Sequence, residues 1–156
     1  MPTAAAACRV DRPPLAEAKA VLAELRQAQQ SLQACFAELE KVLTRPVPDA
    51  GALTSVRLKL AGIRLTRGPL ITRVSDLRSG RVTPAEEATL EQLRLSHHRL
   101  LQIATVHTSK WTLEEIGKNW SQYRRDTREL VRQWVTKAER EQRLIFPIIE
   151  RFARRA

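Results

Sequence analysis

Three Trp, one Tyr, three Phe and five Gly in 156 residues leave little from which to build a β-sandwich or barrel. Those folds draw on aromatic and β-branched strands and on glycine at their turns. Two cysteines, Cys8 and Cys35, make no disulfide framework and favour a reduced setting. No run approaches the ~18 apolar residues of a membrane span. The Ala4–Ala7 start is too short for a signal sequence and is followed at once by Arg9. The expectation is a soluble, cytoplasmic protein with no membrane association. Neither a nucleophile–base pair, a glycine-rich phosphate loop nor a CxxC motif is found, so nothing in the sequence supports catalysis.

What the chain does have is an apolar seam at helical spacing, repeated in four segments. It runs Leu15, Ala18, Leu22, Leu25, Gln29, Leu32, Phe36, Leu39, Leu43 in the first and Leu53, Val56, Leu60, Ile63, Arg67, Leu70, Val74, Leu77 in the second. The third reads Leu90, Leu93, His97, Leu100, Ala104, His107, Trp111. The fourth begins Leu113, Ile116, Trp120, Tyr123, Thr127, Leu130, Trp134 and continues through Lys137, Glu141, Leu144 and Ile148. Spacing of three and four buries one face of each helix.

The ends of the segments carry their own signals. Residues 1–12 read as a flexible tail and 13–156 as one domain. Pro13 and Pro14 suit a first helical turn, and Pro46 and Pro48 end that helix. Asp49 is a cap for the second helix, which closes near Gly80. Thr83 with Glu86 and Thr112 with Glu115 have capping-box spacing. Gly68-Pro69 interrupts the second pattern while the seam keeps its register, which predicts a kink there. With connectors this short, neighbours run antiparallel. The expected fold is all-α, an up-down-up-down antiparallel four-helix bundle.

Each seam contains a polar residue near its middle. Counting outward from the turns puts Gln29 opposite Arg67, Arg67 opposite His97, and His97 opposite Thr127. The four then form one polar layer, either a ligand pocket using Arg67 and His97 or a self-satisfied layer that fixes helix register. No carboxylate is assigned to that layer, so a buried Arg67 calls for an anion, water or an outward path. Lys137 and Glu141, at i and i+4, are placed below it as a local pair.

Charge is uneven. Residues 51–82 carry seven basic residues against Asp76, and the excess lies on the second helix through Arg57, Lys59, Arg64, Arg73 and Arg78, with Arg67 and Arg81. That is either a solvated face or a surface for an acidic partner or nucleic acid. No sequence-reading DNA motif accompanies it. Leu58 and Leu65, seven apart and away from the seam, offer a contact for a homodimer or another protein, or pack at a flank of the bundle.

One resemblance bears on function. Trp111-Thr112, Ile116, Trp120, Tyr123, Asp126-Thr127, Leu130, Arg140-Glu141 and Leu144-Ile145-Phe146-Pro147 resemble the last helix of hemerythrin-like (HHE cation-binding) bundles. The likeness covers about residues 90–152. It implies a four-helix bundle and, in members with a di-iron centre, histidine and carboxylate ligands from all four helices. Glu141 matches the family's glutamate. The first helix carries no His, the second has Arg64 and Gly68 or Ile63 and Arg67 where a His-x-x-x-Glu pair is expected, and Lys137 stands where some members have a His. The expectation is therefore a non-enzymatic binding or regulatory module with its iron site lost and no cofactor, acting on a protein partner or a small anionic ligand. The alternatives are an atypical iron site drawing on His97, His107 and Glu141, and a basic bundle associated with nucleic acid.

Overall fold

The computed structural model describes residues 14–77 and 82–154, and every regular element among them is helical. Residues 1–12, Pro13, Arg78, Gly80 and Arg81, which figure in the sequence reading, lie outside the described residues. The elements are α1 (Pro14–Leu43), α2 (Ala50–Asp76), α3 (Pro84–Lys110), α4 (Leu113–Lys118), α5 (Trp120–Leu144) and α6 (Phe146–Arg154). None of the described helices is long and apolar enough to cross a membrane.

Capping chemistry sets the starts. The Asp49 carboxylate accepts from the Ala52 amide at 2.9 Å and opens α2. Thr83 and Glu86 exchange side-chain and backbone bonds in a full capping box at α3. Thr112 accepts from the Glu115 amide, but the helix it opens is only the short α4. α2 runs without interruption through Pro69, although the ring removes the amide that would have bonded the Leu65 carbonyl.

The fourth segment differs from the single helix that its seam predicts. It is divided at Asn119 and again at Ile145. Pro147 lies at the second position of α6 and has no N–H with which to bond the Arg143 carbonyl four residues back. The chain resumes helix at once, with the Ile149 amide bonded to the Ile145 carbonyl.

α1 packs on α2, α5 and α6, and α3 packs on α2 and α5. Cross-links show opposed chain directions: Glu38 meets Lys59 while Glu24 meets Arg73 between α1 and α2. Glu40 meets Arg128 of α5 while Arg26 meets Glu150 of α6. The interior falls into two large apolar clusters. One joins Val21, Leu25, Val74 and Leu90 to Ile149 and Phe152; the other joins Leu39, Leu53, Val56, Trp111, Ile116 and Tyr123. A smaller cluster of Leu32, Leu100 and Trp134 is joined to the second through the partly buried Leu60 and Ile63.

Candidate functional site

Of the four residues expected in one polar layer, Gln29, Arg67 and His97 lie near Lys137, Ala138 and Glu141 of α5, and Thr127 lies at another level. Gln29, Arg67 and His97 are buried, Arg67 with only 1% of its surface exposed. Arg67 therefore does not reach out to solvent along α2. Its guanidinium donates to Glu141, whose other carboxylate oxygen accepts from Lys137. Gln29 donates to the Ala138 carbonyl, one residue past Lys137. The layer thus contains the carboxylate that turn-counting withheld from it, and Lys137 and Glu141 belong in it instead of below it.

Thr127 belongs elsewhere. Its hydroxyl lies 3.1 Å from Nε2 of His107, ten residues and about 15 Å along α3 from His97. The miscount has a local cause. The count took Trp111 as the turn, whereas α4 extends the connection to Asn119 and moves the axis of pairing down the chain. Shifting the axis accordingly brings His97 level with Lys137.

Electrostatically the layer holds two cations against one carboxylate. Burial lowers the Arg67 and Lys137 pKa values, and Arg67 lowers that of Lys137 further. His97 is pushed down to about 4, by burial first and then by the charges of Lys137 and Arg67, so it is neutral at pH 7. Its ring meets Trp134 edge-on at 6.1 Å, and Lys137 Nζ lies 5.8 Å from the same indole. Nε and Nη1 of Arg67 and both ring nitrogens of His97 have no protein partner among the described residues. Buried water satisfies groups of this kind in many interiors.

These residues do not fit a di-iron centre. Glu141 is held by two cations, His107 is bonded to Thr127, and the two histidines sit at separate levels of α3. No three His, Cys, Asp or Glu residues come together as ligands among the described residues. A metal of this type requires several such donors converging at about 2.0–2.2 Å.

On the far side of Trp134 the helices enclose a cavity of about 340 Å³, partly open to solvent. Leu32, Phe36 and Leu39 of α1, Leu60 and Ala61 of α2, Ala104 of α3, and Leu130, Val131 and Trp134 of α5 supply its apolar wall. Its polar groups are Tyr123, Thr127 and His107 in one cluster, Arg57, Arg64 and Thr54 from α2, and Thr108 from α3. His107 is also pushed down to about 4, by burial and then by Arg57. The Tyr123 phenol is raised by burial, partly offset by a hydrogen bond to Thr127. Neutral Thr127 and His107 therefore offer hydrogen bonds without charge, and the two arginines provide the charge.

The basic stripe of α2 is mostly neutralised. Lys59 pairs with Glu38, Arg67 with Glu141, and Arg73 with both Glu17 and Glu24. Arg57 donates to the Thr108 carbonyl at 3.3 Å, and Arg64 has no carboxylate partner among the described residues. Leu58 and Leu65 are exposed, at 69% and 78%, and Leu58 also lines the cavity.

The cavity was not anticipated from the seam. Its signal is the pair of small residues, Ala61 beside the α2 seam and Ala104 in the α3 seam, where larger side chains would have filled the space. Comparison with family models, with characterised proteins and with solved structures finds no match for this chain. The hemerythrin-like resemblance accordingly rests on the motif of residues 90–152.

Proposed function

We propose that this chain is a non-enzymatic binding module, an up-down-up-down four-helix bundle of hemerythrin-like layout, whose ligand is a small, largely apolar molecule. The single observation that carries the reading is the apolar cavity of about 340 Å³ among α1, α2, α3 and α5. Its volume lies within the ~300–1,000 Å³ of small-molecule sites, and an apolar wall with a few polar groups is their usual composition. The buried Arg67–Glu141–Lys137 layer stands beside it as a structural element. Between them Trp134 forms a shared wall, lining the cavity and touching both His97 and Lys137.

In this reading the cavity replaces the metal centre as the functional interior of the bundle. The nucleic-acid alternative loses support because most cations of α2 already have carboxylate partners. Calorimetric titration with decanoate tests the proposal. Saturable one-site binding is expected, and Ala61→Phe, which fills the cavity from α2, should weaken it at least tenfold while the variant stays folded by circular dichroism. No binding to the unaltered protein, or equal binding to the filled variant, would contradict it.

A further inference from the structure

The described cations of α2 fall into two sets. Lys59, Arg67 and Arg73 each meet a carboxylate. Arg57 and Arg64 meet none among the described residues, and these two line the cavity. They stand seven residues apart, two turns and about 10 Å along one helix face. Both are half-buried, so their charge is partly removed from water without a counter-ion to replace it. The pKa of the Arg64 guanidinium is lowered by burial and then by the Arg57 charge. An unpaired arginine couple beside an apolar wall is complementary to a molecule with one anionic end and an apolar body.

From this arrangement we infer that the ligand is a free medium-chain monocarboxylate, its carboxylate held by Arg64 and Arg57 and its chain lying against Leu60, Leu130 and Trp134. The inference rests on the cavity reading given above and adds the charge of the ligand to it. Arg64 is the principal reader of the carboxylate, because Arg57 is already committed in part to the Thr108 carbonyl. A guanidinium grips a carboxylate through two parallel N–H donors, and the grip is stronger where water is excluded. Thr127 and the neutral His107 offer no charge to the head group and leave that role to the arginines.

The test compares decanoate with decan-1-ol, which keeps the chain and removes the charge, by calorimetry at pH 7.5. The unaltered protein is expected to bind decanoate at least tenfold more tightly than the alcohol. Arg64→Met should bring the two affinities within about threefold by weakening decanoate alone, and Arg64→Lys should restore part of the difference. Melting curves of both variants check that the fold is kept. If acid and alcohol bind equally to the unaltered protein, the anionic reading is overturned while the cavity reading survives. If neither binds, both fall together. Decanoate binding that survives Arg64→Met and Arg57→Met unchanged also overturns the inference.

Discussion

Arg67 of α2 and Glu141 of α5 are joined in the interior, guanidinium Nη2 to carboxylate Oε2, with Lys137 on the second oxygen of the same carboxylate. The exposed fraction is 1% for the Arg67 side chain and 4% for that of Glu141. Two cations therefore share one anion out of reach of water, and the three positions should respond to substitution very unequally.

Glu141→Gln leaves both cations buried without their counter-charge. It should be the most damaging change in the layer, costing about 3–5 kcal/mol. Lys137→Met removes the surplus cation and keeps the Arg67–Glu141 pair, so it should change stability by less than about 1 kcal/mol, in either direction. Urea denaturation of the two variants reads the difference. Equal losses would mean that the carboxylate is not shared as described.

Acid should weaken the fold before its carboxylates titrate. His97 and His107 are held at about 4 in the folded chain, below the ~6.5 of an unfolded histidine. The unfolded chain takes up these protons first, so the histidine contribution is full above about pH 6.5 and falls as pH drops toward 4. Each histidine contributes a slope approaching about 1.4 kcal/mol per pH unit in that window. Lys137, lowered by burial to about 7, makes stability rise further between about pH 7 and 10. Replacing His97 by Leu should flatten the dependence measured by thermal melts between pH 7 and 5. A profile unchanged by that substitution would show that His97 is protonated in the native state.

Gly62 sits inside α2, and a Cβ placed there meets no atom within 4 Å. Gly62→Ala should stabilise the protein by about 0.5–1 kcal/mol, through reduced freedom of the unfolded chain and better helix propensity. A raised melting temperature checks this. A fall would mean that α2 is distorted at that turn, upstream of Pro69.

Metal content separates the binding-module reading from the iron alternative. Protein purified without chelator should carry iron far below one atom per chain, with no charge-transfer absorption, because Glu141 is already held by Arg67 and Lys137. Near-stoichiometric iron would require that cluster to rearrange and would overturn the assignment of the layer.

Much of the helical organisation was legible because caps and periodicity agreed. Asp49 and Thr83 open the helices that their spacing predicted, and the buried residues of α1 follow its seam closely. The division of the last segment was not legible from the seam. A periodic pattern passes through Asn119 and Ile145 whether or not the backbone breaks there, and the extra length of α4 misplaced Thr127 by a whole level. Glu141 was assigned to a neighbour on its own helix, since a spacing of four residues satisfies Lys137 without revealing Arg67. The cavity was hidden for a further reason. Periodicity identifies which side chains face inward but says nothing of whether they fill the space, and beside Ala61 and Ala104 they do not.

The most direct test of the central claim is a methyl and indole NMR titration of the unaltered protein with decanoate. The account predicts saturable shifts centred on Leu32, Leu60, Leu130, Val131 and the Trp134 ring, with the exposed Leu65 methyls, outside the cavity lining, unmoved at saturation. Shifts centred instead on Leu65, or no saturable shift within the cavity, would contradict it.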